Sequence, residues 1–141
     1  MESSSKFYLL VFILAFIGNF IVEIIVTQIP IVVYNVEPML LKISWFTFVL
    51  YIPWIATTYF VGNWLNRKTK MTKYIFYFII GALFAFAVDQ IATNYSWYYY
   101  VFPSVFLIGQ VPFEDFFAVG AMITASVSIA SYIAGKVFKN K

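Results

Sequence analysis

Four acidic side chains lie within or at the ends of long apolar stretches of this chain: Glu23, Asp89, Glu114 and Asp115. A charged group inside a bilayer costs several kcal/mol, so acids in such stretches are normally paired or functional. No Lys or Arg lies near these four in the sequence to pair with them. Carboxyls that meet in a low dielectric cannot all ionise, so we expect at least one to keep a proton. A protonated carboxylic acid is suited to general acid catalysis.

The elements that must position these acids are four apolar segments. They cover about residues 7–29, 43–65, 74–92 and 112–138, and each is long enough to cross a hydrocarbon core, which takes roughly 20 residues. Of the 141 residues, 63% are hydrophobic and 11% are charged, whereas soluble domains are closer to half apolar and a quarter charged. The chain is therefore predicted to be a single domain, 1–141, with an all-α fold: an integral membrane bundle of about four transmembrane helices.

The first segment differs from a cleaved signal peptide, because its apolar run is too long and no small-residue cleavage pattern follows it. We interpret it as a signal anchor or an ordinary first span.

Composition excludes several kinds of chemistry. The chain has no Cys and no His, which excludes disulfides, thiol nucleophiles, imidazole catalysis and most zinc sites. No metal site is predicted. No Gly-rich dinucleotide motif is present, so no cofactor is predicted. The basic residues lie between apolar runs and do not form a nucleic-acid patch, so no nucleic-acid partner is expected.

The distribution of Lys and Arg predicts the orientation. Four spans place eight of the nine basic residues on one side of the membrane and only Lys42 on the other. We expect a multi-pass protein of the cell membrane with both termini in the cytoplasm. Glu23 and Asp89 then lie near the ends of the first and third spans, which run outward, and Glu114 and Asp115 lie at the start of the fourth span. All four acids should therefore share one depth in the outer half of the bilayer.

Residues spaced by three or four form polar or small stripes on three of the spans. Such stripes are open to two interpretations: polar groups that only join helices by hydrogen bonds, or the lining of a site. For Asn19 and Thr27 we favour helix joining, for Glu114 beside Asp115 we favour function, and Glu23 fits both. The stripes are Asn19, Glu23 and Thr27; Gly81, Ala85, Asp89 and Thr93; and Ala118, Ala121, Ala125 and Ser128.

The connection from Thr93 to Val111 is rich in Tyr and Trp and has no basic residue. Tyr and Trp prefer the membrane interface, so one interpretation is an aromatic belt. The other is a short re-entrant or interfacial piece that covers a cavity.

The stretch DQIATNYSWYYY, followed by VPFEDFF, resembles the membrane lycopene cyclase domain of bacteria, archaea and fungi. That family has an acid at the end of one span, a Trp/Tyr cluster, and a P-x-E-E/D motif that opens the next span. The matching residues are Asp89, then Trp97 and Tyr98, then the motif that begins at Pro112. The close match covers about thirty residues, and the family usually has Glu where this chain has Asp115.

The resemblance implies a carotenoid cyclase, an isomerase of carotenoid biosynthesis that forms a ring at the end of an acyclic carotenoid. It also implies a homodimer or a paired small subunit, because family members pair or fuse two such domains. Glu114 or Asp115 would protonate the terminal double bond, and Asp89 or Glu23 would take a proton back or tune the acid. Candidate residues for binding the apolar lipid are Trp97, Tyr98, Pro112, Phe113, Asn19 and Phe117.

Two functions from other classes remain open. The acids could form the proton or cation site of a small transport or lipid-binding module, although transporters more often show inverted repeats. The chain could also be a non-catalytic subunit that supports a partner enzyme.

Overall fold

The fold is seen in a computed structural model, which describes residues 2–28, 32–35, 38–40, 43–69, 71–101, 104 and 106–139. Lys42, the one basic residue assigned to the outer side, lies outside these ranges, as does the end of the first predicted span at Ile29. Four helices account for most of the described chain: α1 is Glu2–Gln28, α2 is Trp45–Lys68, α3 is Lys73–Asn94 and α4 is Phe113–Lys139. The predicted all-α bundle of four helices is confirmed.

Three of the helices are long and apolar enough to cross a membrane: Ser5–Gln28 in α1, all of α3, and Phe113–Phe138 in α4. The fourth, α2, is outside this group, and its sequence has polar residues in the second half that include Asn63 and Asn66.

The outer faces of the helices are apolar, which is the reverse of a water-soluble bundle. Along α1, Asn19 is completely buried and Thr27 is nearly so, whereas the exposed side chains between Leu9 and Ile25 are aliphatic. Such a distribution matches a lipid environment and supports a membrane protein. The exposed aliphatic residues of α1 are Leu9, Ile13, Ile17, Ile21 and Ile25.

Small residues allow three of the four helix seams to close tightly. Gly18 of α1 faces Ser126 of α4, and Gly81 of α3 packs so closely on Ile123 of α4 that an added Cβ would overlap its Cγ2 atom. Gly62 of α2 faces the ring of Tyr77 on α3 in the same way. This is the close approach that small side chains permit between membrane helices.

The seam between α1 and α2 is built differently. Aromatic rings fill it, with Phe16 against Tyr51 at 5.7 Å between ring centroids and Phe20 against Phe48 at 5.3 Å. The two helix backbones stay further apart there than in the glycine-lined seams. The bundle therefore has three narrow seams and one wide aromatic seam.

The connections at one end of the bundle carry short strands, and we call this end the strand end (described residues 32–35, 38–40, 43–44, 98–101, 104 and 106–112). The strands are β1 (Val32–Tyr34), β2 (Pro38–Leu40), β3 (Ile43–Ser44), β4 (Tyr98–Tyr100), β5 (Leu107–Ile108) and β6 (Val111–Pro112). They pair antiparallel as β1 with β4, β2 with β3, and β5 with β6. The aromatic connection after Thr93 thus carries β4 and the β5–β6 hairpin, which sequence periodicity did not predict.

Candidate active site

The four acids come from three helices and meet near the strand end. Glu23 lies in the last two turns of α1, Asp89 lies in the last two turns of α3, and Glu114 and Asp115 lie in the first turn of α4. All four line one cavity of about 490 Å³. Antiparallel neighbours bring these helix ends together, so the cavity collects acids that are far apart in sequence.

The carboxyls of Asp89 and Asp115 interact directly in this cavity. The Asp115 carboxyl faces both Asp89 and the phenol of Tyr100. Its Oδ2 atom is buried and has no hydrogen-bond partner among the described residues. Two carboxyls this close in a low dielectric are stable when they hold a proton between them.

The strand β4 supplies two phenols to the pair. Side chains alternate along a strand, and here Tyr98 and Tyr100 are half-buried over the acids whereas Tyr99 points away and is exposed. The hydroxyl of Tyr98 donates a hydrogen bond to Oδ1 of Asp89. Asp89 is therefore held as a hydrogen-bond acceptor.

Tyr100 lies beyond the helices in β4, against the same carboxyls. Burial raises the pKa of its phenol, and the charges of Asp89 and Asp115 raise it further. Tyr100 therefore stays a neutral hydrogen-bond donor over a wide pH range.

The turn that ends α3 directs β4 back toward Asp89. Ser96 has a positive φ of 56°, its N–H donates to the Thr93 carbonyl at 3.0 Å, and the N–H of Trp97 donates to the Ala92 carbonyl at 2.8 Å. These two bonds form a Schellman motif, in which glycine is the usual residue at the left-handed position. The motif reverses the chain, so Tyr98 lies back over the last turns of α3.

Glu114 is at the edge of the cavity. Its side chain is exposed, and Oε2 accepts a hydrogen bond of 2.6 Å from the hydroxyl of Ser104. Glu23 lines the same cavity, and its Oε2 accepts a hydrogen bond of 3.2 Å from the hydroxyl of Tyr51. The two glutamates flank the more buried aspartate pair.

A second cavity of about 310 Å³ adjoins the first and is mostly apolar. Glu23, Asp89 and Tyr98 line both cavities and so form a shared wall. The remaining walls are aromatic, aliphatic or small, and include Tyr51, Trp54, Phe84, Ala85, Val88 and Trp97.

Among the residues predicted to bind a lipid, Trp97 and Tyr98 line the apolar cavity. Phe113 and Phe117 point outward instead and are partly exposed, and Phe113 packs on Phe106 at 6.0 Å between centroids. These two rings cover the outside of the bundle beside the site.

Pro112 and Asn19 are buried and contribute to neither cavity. Pro112 ends β6, directly before the first residue of α4. Asn19 is completely buried, and neither its Nδ2 nor its Oδ1 has a partner in the part of the chain that the structure describes. Both positions support the helices next to the acids.

Several lining residues were not anticipated from sequence, among them Tyr51, Trp54 and Tyr100. Tyr51 and Trp54 share an inward face with Thr47, a spacing of three and four that could have been read from α2. Tyr100 could be identified only from the register of β4, because in a run of three tyrosines the sequence does not show which side chains face the acids.

Comparison with protein-family models, curated proteins and solved structures gives no match to this chain. Within the described ranges, no three acidic side chains are arranged to hold a metal ion. What the site offers is a pair of carboxyls, two phenols and an adjoining apolar space, a combination suited to proton transfer on an apolar molecule.

Proposed function

We propose that this protein is a membrane isomerase that moves a proton onto and off the double bonds of a long apolar isoprenoid. Ring formation at the end of an acyclic carotenoid, such as lycopene, is the reaction that the sequence resemblance indicates. The observation that carries the proposal is the pair of Asp89 and Asp115 carboxyls at the border of an apolar cavity.

In the proposed reaction, Asp115 is the acid. Its proton adds to the terminal carbon–carbon double bond, whose electron pair forms the new C–H bond and leaves a carbocation on the neighbouring carbon. The next double bond attacks this carbon, which closes the ring and moves the positive charge to another ring carbon. Asp89 then takes a proton from an adjacent C–H, whose electrons form the ring double bond. Atoms and electrons balance without an oxidant or reductant.

Asp115 is preferred to Glu114 because of its surroundings. Glu114 is exposed and its carboxylate already accepts a hydrogen bond from Ser104, whereas Asp115 faces a second carboxyl and has a buried oxygen without a partner among the described residues. Asp89 suits the role of base because the Tyr98 hydroxyl donates to it. Glu23, held by Tyr51, would tune the charge of the pair.

Aromatic rings around the apolar cavity support a cationic intermediate. Trp54, Tyr51 and Trp97 line this space, and the faces of such rings attract cations. The same rings exclude water, which would otherwise capture the carbocation.

The orientation and assembly belong to the same proposal. Arg67, Lys68 and Lys73 lie at the end of the bundle opposite the strand end, which favours a cytoplasmic location for that end and for both termini in a multi-pass protein of the cell membrane. The resemblance further suggests a homodimer or a paired small subunit.

The test is expression in a lycopene-producing host, followed by pigment analysis. The wild type should give ring products, and Asp115→Asn should lower their yield by at least about 100-fold because the acid is removed. Glu114→Gln, the matched neighbour, should keep activity within about tenfold. Protein amounts and helix content are measured for each variant.

Two outcomes contradict the proposal. Unchanged pigment with ion-dependent uptake into vesicles favours a transport module, and unchanged pigment without uptake favours a non-catalytic subunit. Full activity of Asp115→Asn with loss in Glu114→Gln would reverse the assignment of the acid.

A further inference from the structure

The indole of Trp54 lies at the inner part of the apolar cavity, on its α2 side. Of the cavity residues on α2, Trp54 is the furthest from the strand end. It is 5% exposed although it is one of the largest side chains in the bundle. A chain that enters beside the acids and follows α2 inward meets this ring last.

The position of the ring is fixed by a hydrogen bond to the neighbouring helix. The indole N–H of Trp54 donates to the carbonyl oxygen of Gly81 at 2.7 Å, a buried contact between α2 and α3. The ring of Tyr51, one turn away, lies 5.9 Å from it between centroids. The hydrogen bond of its N–H and the packing of its ring on Tyr51 together fix the position of the Trp54 side chain.

Positions along α3 give the distance between the acids and the Trp54 ring along the bundle. Asp89 and Gly81 are eight residues apart, which is about 12 Å along a helix. Ala85 lies midway between them and lines the cavity with its small side chain. The apolar space therefore extends inward from the carboxyl pair and ends at the ring bound to Gly81.

We propose that the apolar cavity binds the end of the isoprenoid chain and that Trp54 is the stop against which this end rests. Trp54 thereby determines which double bond lies beside Asp89 and Asp115, and it is a specificity-determining residue. This role rests on the proposed function, because it assumes an apolar chain as ligand. The apolar lining of this cavity and the wall that it shares with the acids favour this occupant.

A binding experiment tests the stop without requiring catalysis. The probes are tritiated farnesol and a farnesol analogue in which a phenyl group replaces a terminal methyl group, each added to the full chain in lipid nanodiscs. The wild type should bind farnesol at least about tenfold more tightly than the analogue, because the added ring meets Trp54. Trp54→Ala should bind the two probes within about threefold of each other, because the space behind the stop opens.

Two further variants control for folding and for loss of a tryptophan. Trp54→Phe keeps an aromatic ring of smaller size, and its discrimination should lie between those of the wild type and Trp54→Ala. Trp64→Ala removes a tryptophan of the same helix that is 57% exposed, and its discrimination should equal that of the wild type. If the wild type binds both probes equally, or if Trp54→Ala and Trp54→Phe both keep the full discrimination, the stop is refuted.

Failure of the stop and failure of the proposed function give different results. Probe discrimination that depends on Trp54, without ring products from lycopene, leaves the binding role intact and refutes the enzyme. Ring products made by a protein that does not discriminate between the probes refute the stop and leave the enzyme. When ring products form, their yield from Trp54→Ala should fall by at least about tenfold, since a misplaced double bond reacts slowly.

Discussion

The hydroxyl of Tyr51 on α2 donates a hydrogen bond of 3.2 Å to a carboxylate oxygen of Glu23 on α1. It joins the two helices whose seam is otherwise filled by aromatic rings. Glu23 and Tyr51 also share the wall of the apolar cavity. One contact therefore supports both the bundle and the site.

Tyr51→Phe is expected to lower the free energy of unfolding by about 0.6 kcal/mol, the average for hydrogen bonds between membrane helices. The change removes the hydroxyl and keeps the ring contact with Phe16. Unfolding by a denaturing detergent in mixed micelles measures it. Tyr132→Phe, at an exposed position of α4, is the control, and equal losses in the two variants would contradict the prediction.

Gly81→Ala is expected to destabilise the bundle by about 1–3 kcal/mol, because the added methyl group overlaps Ile123 and forces the helices apart. Ile123→Ala alone creates a cavity and also destabilises. The double variant should lose less than the sum of the two, as measured by a double-mutant cycle.

Gly135→Ala is the matched control for Gly81→Ala. A Cβ at Gly135 meets nothing within 4 Å, so this change should stabilise helix α4 slightly through helix propensity. Additive losses in the double variant, or equal effects of the two glycine substitutions, would show that Gly81 does not set the spacing of α3 and α4.

Ser96→Gly is expected to raise the free energy of unfolding by about 1 kcal/mol, because glycine adopts a positive φ without the strain that other residues carry. Ser131→Gly, inside helix α4, should have the opposite sign, since glycine weakens a helix interior. Thermal unfolding in detergent micelles compares the two. A loss of stability in Ser96→Gly would mean that the hydroxyl of Ser96 matters more than its backbone conformation.

Stability should fall at alkaline pH because of Tyr100. Its pKa is raised in the folded protein, whereas the unfolded chain releases the proton near the ordinary tyrosine pKa of about 10. The folded state therefore binds more protons than the unfolded state above that pH, and the free energy of unfolding decreases as pH rises.

Tyr100→Phe removes this proton, so the difference in stability between neutral pH and about pH 11 should be smaller than in the wild type. Detergent unfolding at both values measures it. An alkaline decrease of the same size in the variant would exclude Tyr100 as its source.

Helix existence and type were predictable because long apolar runs have one structural solution in a membrane. The stripe through Gly81 and Asp89 also indicated an inward face of α3, which the structure shows on the cavity side. The strands were not predictable, since β4 has three residues and its preceding turn uses Ser96 where a glycine would have signalled the reversal. The inward position of Trp54 could be read from its spacing with Thr47 and Tyr51, whereas its hydrogen bond to Gly81 could not, because nothing in the local sequence marks a bond to another helix.

The aromatic seam between α1 and α2 has a consequence for how an apolar molecule reaches the carboxyls. Val32, Tyr98 and Tyr100 of the β1–β4 ladder line the cavity that holds the acids. A molecule that entered along the bundle axis would therefore have to break backbone pairing. The seam between α1 and α2 is filled by side chains, so a molecule that entered there would displace rings and break no backbone pairing. An apolar molecule that used this route would enter laterally from the lipid layer and would not pass through water.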